Sequence, residues 1–255
     1  MPDIRILPDS QALFRAAALE FVQQANDAVN ARGVFHLALS GGSTPKGLFA
    51  LLVTDEALRQ KIAWDKIHFW WSDERHVPPD HPDSNFKMAH DALLSRAPIP
   101  AQNIHRIRAE NPDASQTALD YENELRVTFQ TDAPAFPQFD LILLGMGPDA
   151  HTASLFPGTK ALHETTRLVV ANWLGKLFTW RITFTAPFIN HARCVMFLVA
   201  GEDKALPLKG VLEGPHEPAQ MPAQLIVPTD GRLILFVDEK AASQLTRADS
   251  GYESG

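Results

Sequence analysis

The sequence is poor in cysteine: Cys194 is the only one among 255 residues. An internal disulfide is therefore excluded. Val195, Met196 and Phe197 follow it, and a thiol in such an apolar strand is expected to be an inert core group rather than a nucleophile. No apolar run approaches the ~18 residues that cross a bilayer. The N-terminus, MPDIRILPDS, lacks a basic region followed by an apolar stretch. No secretory signal is read there, and a cytoplasmic protein is expected. Positive charge is also scarce. The 23 Lys and Arg against 30 Asp and Glu give a formal net charge of −7. That speaks against a general nucleic-acid binder. A small anionic ligand is not excluded, because its binding depends on local charge.

What is present is the material of a globular enzyme. Hydrophobic residues make up 45% and charged residues 21%, which allows a large buried core. Short apolar runs alternate with amphipathic stretches. Strands are predicted at Ile4–Leu7, Phe35–Leu39, Ile67–Trp71, Phe139–Gly145, Arg167–Ala171, Arg181–Thr185, Cys194–Ala200 and Leu233–Val237. Several are apolar at successive positions, as in strands covered on both faces. Helices are predicted at Ser10–Asn30, Asn85–Leu94, Asp113–Phe129 and Glu202–Leu212, with Asp9 or Ser10 and Ser84 as caps. This alternation predicts a doubly wound α/β fold with a mainly parallel sheet and helices on both faces. No linker or repeat divides it. A single domain over 1–245 is expected, followed by a polar, frayed tail over 246–255.

Ligands of such sheets bind beyond the carboxyl ends of the strands, and the loops there carry unusual chemistry. Ser40–Gly47 reads SGGSTPKG. Gly41 and Gly42 let the backbone approach a ligand, Pro45 suits a first helical turn, and free N–H groups with the Ser43 and Thr44 hydroxyls would favour an anion. The turn does not have the G-x-x-x-x-G-K-S/T spacing of a nucleotide loop, nor G-x-G-x-x-G. A plain capped turn fits it as well. The second loop, Trp70–Phe86, turns abruptly polar at Ser72, Asp73, Glu74, Arg75 and His76. It is either solvated or a site edge, where Arg75 would pair with an anion and Asp73 would orient a histidine or a hydroxyl. Asp80, His81 and Asp83 match no familiar metal spacing. The third, Leu141–Gly158, runs through Gly145 and Gly147 to Asp149 and His151. An imidazole placed there can act as a general base, or it is a hydrogen-bonded loop histidine. Arg181 and Lys204 add positive charge near other strand ends. No serine sits in G-x-S-x-G, so no acyl-enzyme is suggested.

Together SGGSTP, WSDERHVP with DSNF, GMGPDAHTASLFPG, WRITFT, GEDKA and PAQLI (Pro222–Ile226) resemble the 6-phosphogluconolactonase family, in that order and over most of the chain. The resemblance implies hydrolysis of 6-phospho-D-glucono-1,5-lactone, no metal and no organic cofactor. It implies a sugar-phosphate substrate and neither a nucleic-acid nor a membrane partner. A monomer is expected. It also implies that Gly41, Gly42, Ser43 and Thr44 cradle the phosphate while Arg181 and Lys204 neutralise it. His151 would be catalytic, with Asp73 and Arg75 toward the sugar. One departure is visible. The family pattern reads D-G-H-T-A-S, and Ala150 replaces the glycine. If that position needs positive φ, alanine costs about 1 kcal/mol or more. The related deaminases of amino-sugar phosphates resemble D-G-H-I-A-F-N-E-P after the histidine. Here Thr152–Phe156 supply no carboxylate. A non-catalytic sugar-phosphate sensor would need no Asp149 and His151, and would bring a DNA-binding segment, which is not found.

Overall fold

The computed structural model describes residues 2–246. In chain order the elements are β1 (Asp3–Leu7), α1 (Ser10–Arg32), β2 (Phe35–Leu39), α2 (Ser43–Thr54), α3 (Glu56–Arg59), β3 (Ile67–Trp71), β4 (Asp73–Arg75), α4 (Asn85–Ala92) and α5 (Ala114–Phe129). There follow β5 (Leu141–Gly145), β6 (Val169–Leu174), β7 (Thr179–Phe184), α6 (Ala186–Asn190), β8 (Cys194–Val199), α7 (Ala205–Glu213), β9 (Arg232–Asp238) and α8 (Glu239–Ala242). Local chemistry sets several boundaries. Asp9 accepts from Ala12 N–H at the start of α1, and Gly33 ends it at φ 76. Ser84 caps α4 and Asp113 caps α5.

Six strands form one sheet in the order β1-β9-β8-β5-β2-β3, with every neighbouring pair parallel. This is the mainly parallel α/β architecture expected from the sequence. All six residues of β8 are buried, which requires cover on both faces. Burial pushes the Cys194 thiol up to about 12, so it is protonated and inert. Among the described residues no helix is long and apolar enough to cross a membrane. The tail predicted over 246–255 lies outside the described residues except for Thr246, whose N–H and hydroxyl donate to Glu213.

A second sheet, β4-β7-β6, is antiparallel. The sequence reading puts 73–75 in a loop and counts 167–171 and 181–185 among undifferentiated apolar strands. The structure pairs them with one another instead. Asp73, Glu74 and Arg75 form a strand because β7 supplies its partner edge, from Asp73 opposite Thr183 to Arg75 opposite Arg181.

Beside β2 and β3, three histidines pack together. The His36 and His68 rings lie 5.1 Å apart, and His68 Nδ1 is 2.9 Å from His105 Nε2. Glu124 holds the far side of His105 at 2.8 Å. Burial, then the charges of His68, His105 and Arg32, push His36 from 6.5 down to about 3. The folded state therefore refuses a proton that the unfolded chain accepts below about pH 6.5. Stability contributed by neutral His36 is present above pH 6.5 and is lost as pH falls from there toward 3, at up to about 1.4 kcal/mol per pH unit. The unfolding midpoint should drop on acidification by roughly 3–6 °C per unit from this group. His36→Phe should flatten that limb, because it also removes the unpartnered, buried Nδ1. Thermal scans of both proteins between pH 7.5 and 5 check this; parallel curves would contradict it.

Candidate active site

The strand order reverses between β2 and β5. β2 leads through α2 to β3 on one side, and β5 leads on to β8 on the other. Loops leaving such a point diverge and open a crevice. Here the loops are Ser40–Gly42 and the segment from Met146 to Thr152. They run close together: a Cβ built on Gly145 would lie 4.0 Å from the Gly41 carbonyl oxygen. Gly42 caps α2 at φ 104, a conformation glycine adopts freely, with no side-chain hydrogen bond to the helix. Among the described residues the first-turn N–H groups of Ser43 and Thr44 thus have no hydrogen-bond partner, as suits an anion site.

The second loop is built around its histidine. His151 Nδ1 lies 2.5 Å from Asp149 Oδ1. The imidazole stacks on Phe156, with ring centroids 4.0 Å apart. Gly147 makes this packing fit, since a Cβ there would sit 2.0 Å from His151 Nδ1. Its N–H donates to the His151 carbonyl at 2.9 Å, and Ala150 N–H returns to the Gly147 carbonyl at 3.0 Å. Partial burial opposes ionisation of Asp149, but the hydrogen bond and charge of His151 outweigh it and hold the carboxyl below its ordinary range. With Nδ1–H directed at Asp149, Nε2 keeps its lone pair for a proton. Ala150, which replaces the expected glycine, does sit at positive φ (59) and is fully buried. Its carbonyl accepts from Ala223 N–H at 3.0 Å, so the Pro222–Leu225 turn braces the strained residue.

Strand β4 brings the remaining polar groups. Asp73 is 6% exposed. Its Oδ2 accepts from Ser154 Oγ at 2.7 Å and its Oδ1 from Asn85 Nδ2 at 3.2 Å. It therefore orders the walls of the site, and Asp149, not Asp73, holds the histidine. Glu74 points the other way and accepts from the N–H groups of Arg75, Asn85 and Phe86 and from Ser84 Oγ. Burial raises its pKa against those donors, with the Asp73 charge adding to the rise. Arg75 and Arg181 face each other across β4 and β7. Like charges directly opposite are unfavourable. Burial, and then the charge of Arg75, lower the Arg181 pKa. Arg75 gives one N–H to the Asp83 carbonyl at 2.6 Å. Two adjoining guanidiniums with donors to spare are a cradle for an anion. Lys204 lies in the turn before α7, where its Nζ donates to the exposed Asp203 at 2.7 Å.

One cavity of about 380 Å³ gathers these groups. Gly41, Gly42, Ser43, Thr44, Asp73, Arg75, His151, Arg181 and Lys204 all line it. The sequence offers Asp149 no stated part, and Ser84 and Asn85 only a helix start within the DSNF motif. The two-residue spacing to His151 was the signal for Asp149. A larger open groove of about 1410 Å³ adjoins the cavity and shares Pro148, Phe156 and Leu177 with it. It holds neither the histidine nor the arginines, so it is not where the polar groups converge. Asp80, His81 and Asp83 stay on the surface, where His81 Nδ1 accepts from Asp83 N–H. Among the described residues no three such side chains gather as metal ligands.

The family described as "Glucosamine-6-phosphate isomerases/6-phosphogluconolactonase" matches residues 8–235. The 6-phosphogluconolactonase of Synechocystis sp. is 45% identical over 245 residues, 96% of this chain and 98% of that protein. That of Nostoc sp. is 42% identical over 243 residues, 95% of this chain and 98% of its own length. The solved structure of the 6-phosphogluconolactonase from Trypanosoma cruzi superposes with a TM-score of 0.85 at 30% identity, covering 97% of this chain and 98% of that one.

Proposed function

The chain belongs to the glucosamine-6-phosphate isomerase/6-phosphogluconolactonase family, and from that premise we propose that it hydrolyses 6-phospho-D-glucono-1,5-lactone to 6-phospho-D-gluconate with His151 as general base. It is a lactone hydrolase of the oxidative pentose phosphate pathway by the names of its relatives. The observation that carries the mechanism is that His151, held by Asp149, and the facing Arg75 and Arg181 line one small cavity.

The steps follow from those groups. Nε2 of His151 takes a proton from water as the water oxygen bonds to C1 of the lactone. Asp149 stabilises the imidazolium that forms. The tetrahedral intermediate collapses by breaking the bond between C1 and the ring oxygen. The imidazolium returns its proton to that oxygen, which leaves as a hydroxyl, and the new acid ionises in water. The 6-phosphate lies away from C1. Its part is to anchor the substrate on the first turn of α2, Arg181 and Lys204, with Arg75 adding charge from across the strand pair. Remote binding of this kind positions the reacting carbonyl. Lys204 exchanges its exposed partner Asp203 for the phosphate.

A coupled assay with freshly made 6-phosphogluconolactone, corrected for spontaneous ring opening, tests the reading. A saturable rate above the spontaneous one is expected; no acceleration would refute it. Glucono-1,5-lactone without phosphate should show kcat/KM lower by roughly 10²-fold or more, since charge-assisted hydrogen bonds of about 1.5–3 kcal/mol each are lost. Equal efficiency on both lactones would remove the anchor from the mechanism.

A further inference from the structure

Asn85 opens α4. It is 2% exposed, yet it lines the cavity. Its Nδ2 donates to the Asp73 main-chain carbonyl at 3.0 Å and to Asp73 Oδ1 at 3.2 Å. A main-chain carbonyl can only accept, so this contact fixes which way round the amide lies. Both amide hydrogens are thereby committed. Oδ1 faces the opposite way, against the phosphate turn: a Cβ built on Gly41 would lie 1.9 Å from it. Among the described residues no protein donor reaches Oδ1. A side chain this deeply buried normally has all its polar atoms matched, and here one acceptor is left for whatever occupies the cavity.

We infer that Asn85 Oδ1 accepts a hydrogen bond from one hydroxyl of the bound sugar and so contributes to specificity. The inference rests on the lactonase reading above. Its chemistry is one-sided. An acceptor with no hydrogen to give welcomes a hydroxyl and repels phosphate or carboxylate oxygens. The adjacent Asp73 carboxylate polarises the amide further in the same sense. Elsewhere in the same cavity Arg75, Arg181, Lys204 and the free N–H groups of α2 offer donors. A ligand that carries both hydroxyls and an anion is thus expected to set a hydroxyl, not its anionic group, against Oδ1. The same oxygen keeps an anion off Gly41 and leaves Ser43 and Thr44 as the anion donors of that turn. Glycine is required at 41 because any side chain there would displace the amide from its setting.

The test compares kcat/KM for the 6-phospholactone with that for analogues in which one ring hydroxyl at a time is replaced by hydrogen or by fluorine. Wild-type hydrolysis of the parent lactone is measured first, and its absence would sink the lactonase reading rather than this inference. One position should lose about 10-fold or more as the deoxy analogue, because a site built to pair a hydroxyl rejects its absence. Fluorine there should not restore the rate, since it accepts but cannot donate. In Asn85→Ala the parent should fall toward the deoxy level, and the penalty at that position should shrink below about 3-fold, the sign of direct coupling. The inference is overturned if wild type shows no deoxy penalty, if fluorine restores activity, or if Asn85→Ala keeps the full penalty. A wild type with no deoxy penalty, or with activity restored by fluorine, overturns the inference even if the variant does not fold.

Discussion

His151→Ala should lower kcat by about 10²–10⁴-fold, the usual worth of a positioned general acid–base, while KM changes little. The expectation follows from how the ring is held. Asp149 fixes Nδ1 at 2.5 Å and Phe156 covers one ring face at 4.0 Å, and neither contact belongs to the anion cradle. Removing the imidazole therefore leaves the arginines and the α2 turn in place to bind substrate. Steady-state kinetics on freshly prepared lactone, with the spontaneous rate subtracted, read the effect. Added imidazole should recover part of the lost kcat, because a base is missing and the pocket for it remains. Asp149→Asn should cost less than His151→Ala, and the double variant should be no worse than His151→Ala, as for groups that act as a unit. A variant at 151 with near-normal kcat, or a loss entirely in KM, would take the histidine out of the chemistry.

The inner strands of the central sheet were legible because they are largely buried on both faces, unlike the edge strand β1, which is mostly exposed. Leu37–Leu39 and Phe69–Trp71 are apolar at successive positions, and each run ends at a serine, Ser40 and Ser72. Helix starts were legible where a side chain does the capping, as at Asp9, Ser84 and Asp113. The second sheet was not. Asp73, Glu74 and Arg75 have no apolar period, and they extend only because β7 offers an edge and because Ser84, Asn85 and Ser154 satisfy their carboxylates. That information is tertiary. The strand Val169–Leu174 looks locally like one of the parallel sheet, since periodicity cannot tell which sheet a short apolar run joins. The anion turn and the histidine turn could be named from glycines and hydroxyls. Their meeting could not: it depends on the chain order reversing between β2 and β5. The facing of Arg75 and Arg181 is a matter of register, and no spacing between residues 106 positions apart encodes it.

Register also separates the role of Arg181 from that of an ordinary structural arginine. Arg181→Ala should raise KM for the phosphorylated lactone by about 10–100-fold, the loss of one or two charge-assisted hydrogen bonds, and leave kcat nearly unchanged. Hydrolysis of the lactone without phosphate should not change. The free protein, however, should be no less stable, and is expected to gain about 0.2–1 kcal/mol, because the variant relieves two like charges held opposite each other. Among the described residues the Arg181 guanidinium donates only to the main-chain carbonyl of Trp180, at 3.3 Å, so little folded-state bonding is lost with it. The pKa of Arg181 points the same way: burial and then the charge of Arg75 lower it, Asp73, Glu74 and Asp83 offset this only in part, and a bound anion would add to that offset. Inorganic phosphate should accordingly stabilise the wild type against thermal unfolding more than it does the variant. A variant that melts lower than wild type, with KM unaltered, would mean that Arg181 serves the fold and that the anion is held elsewhere.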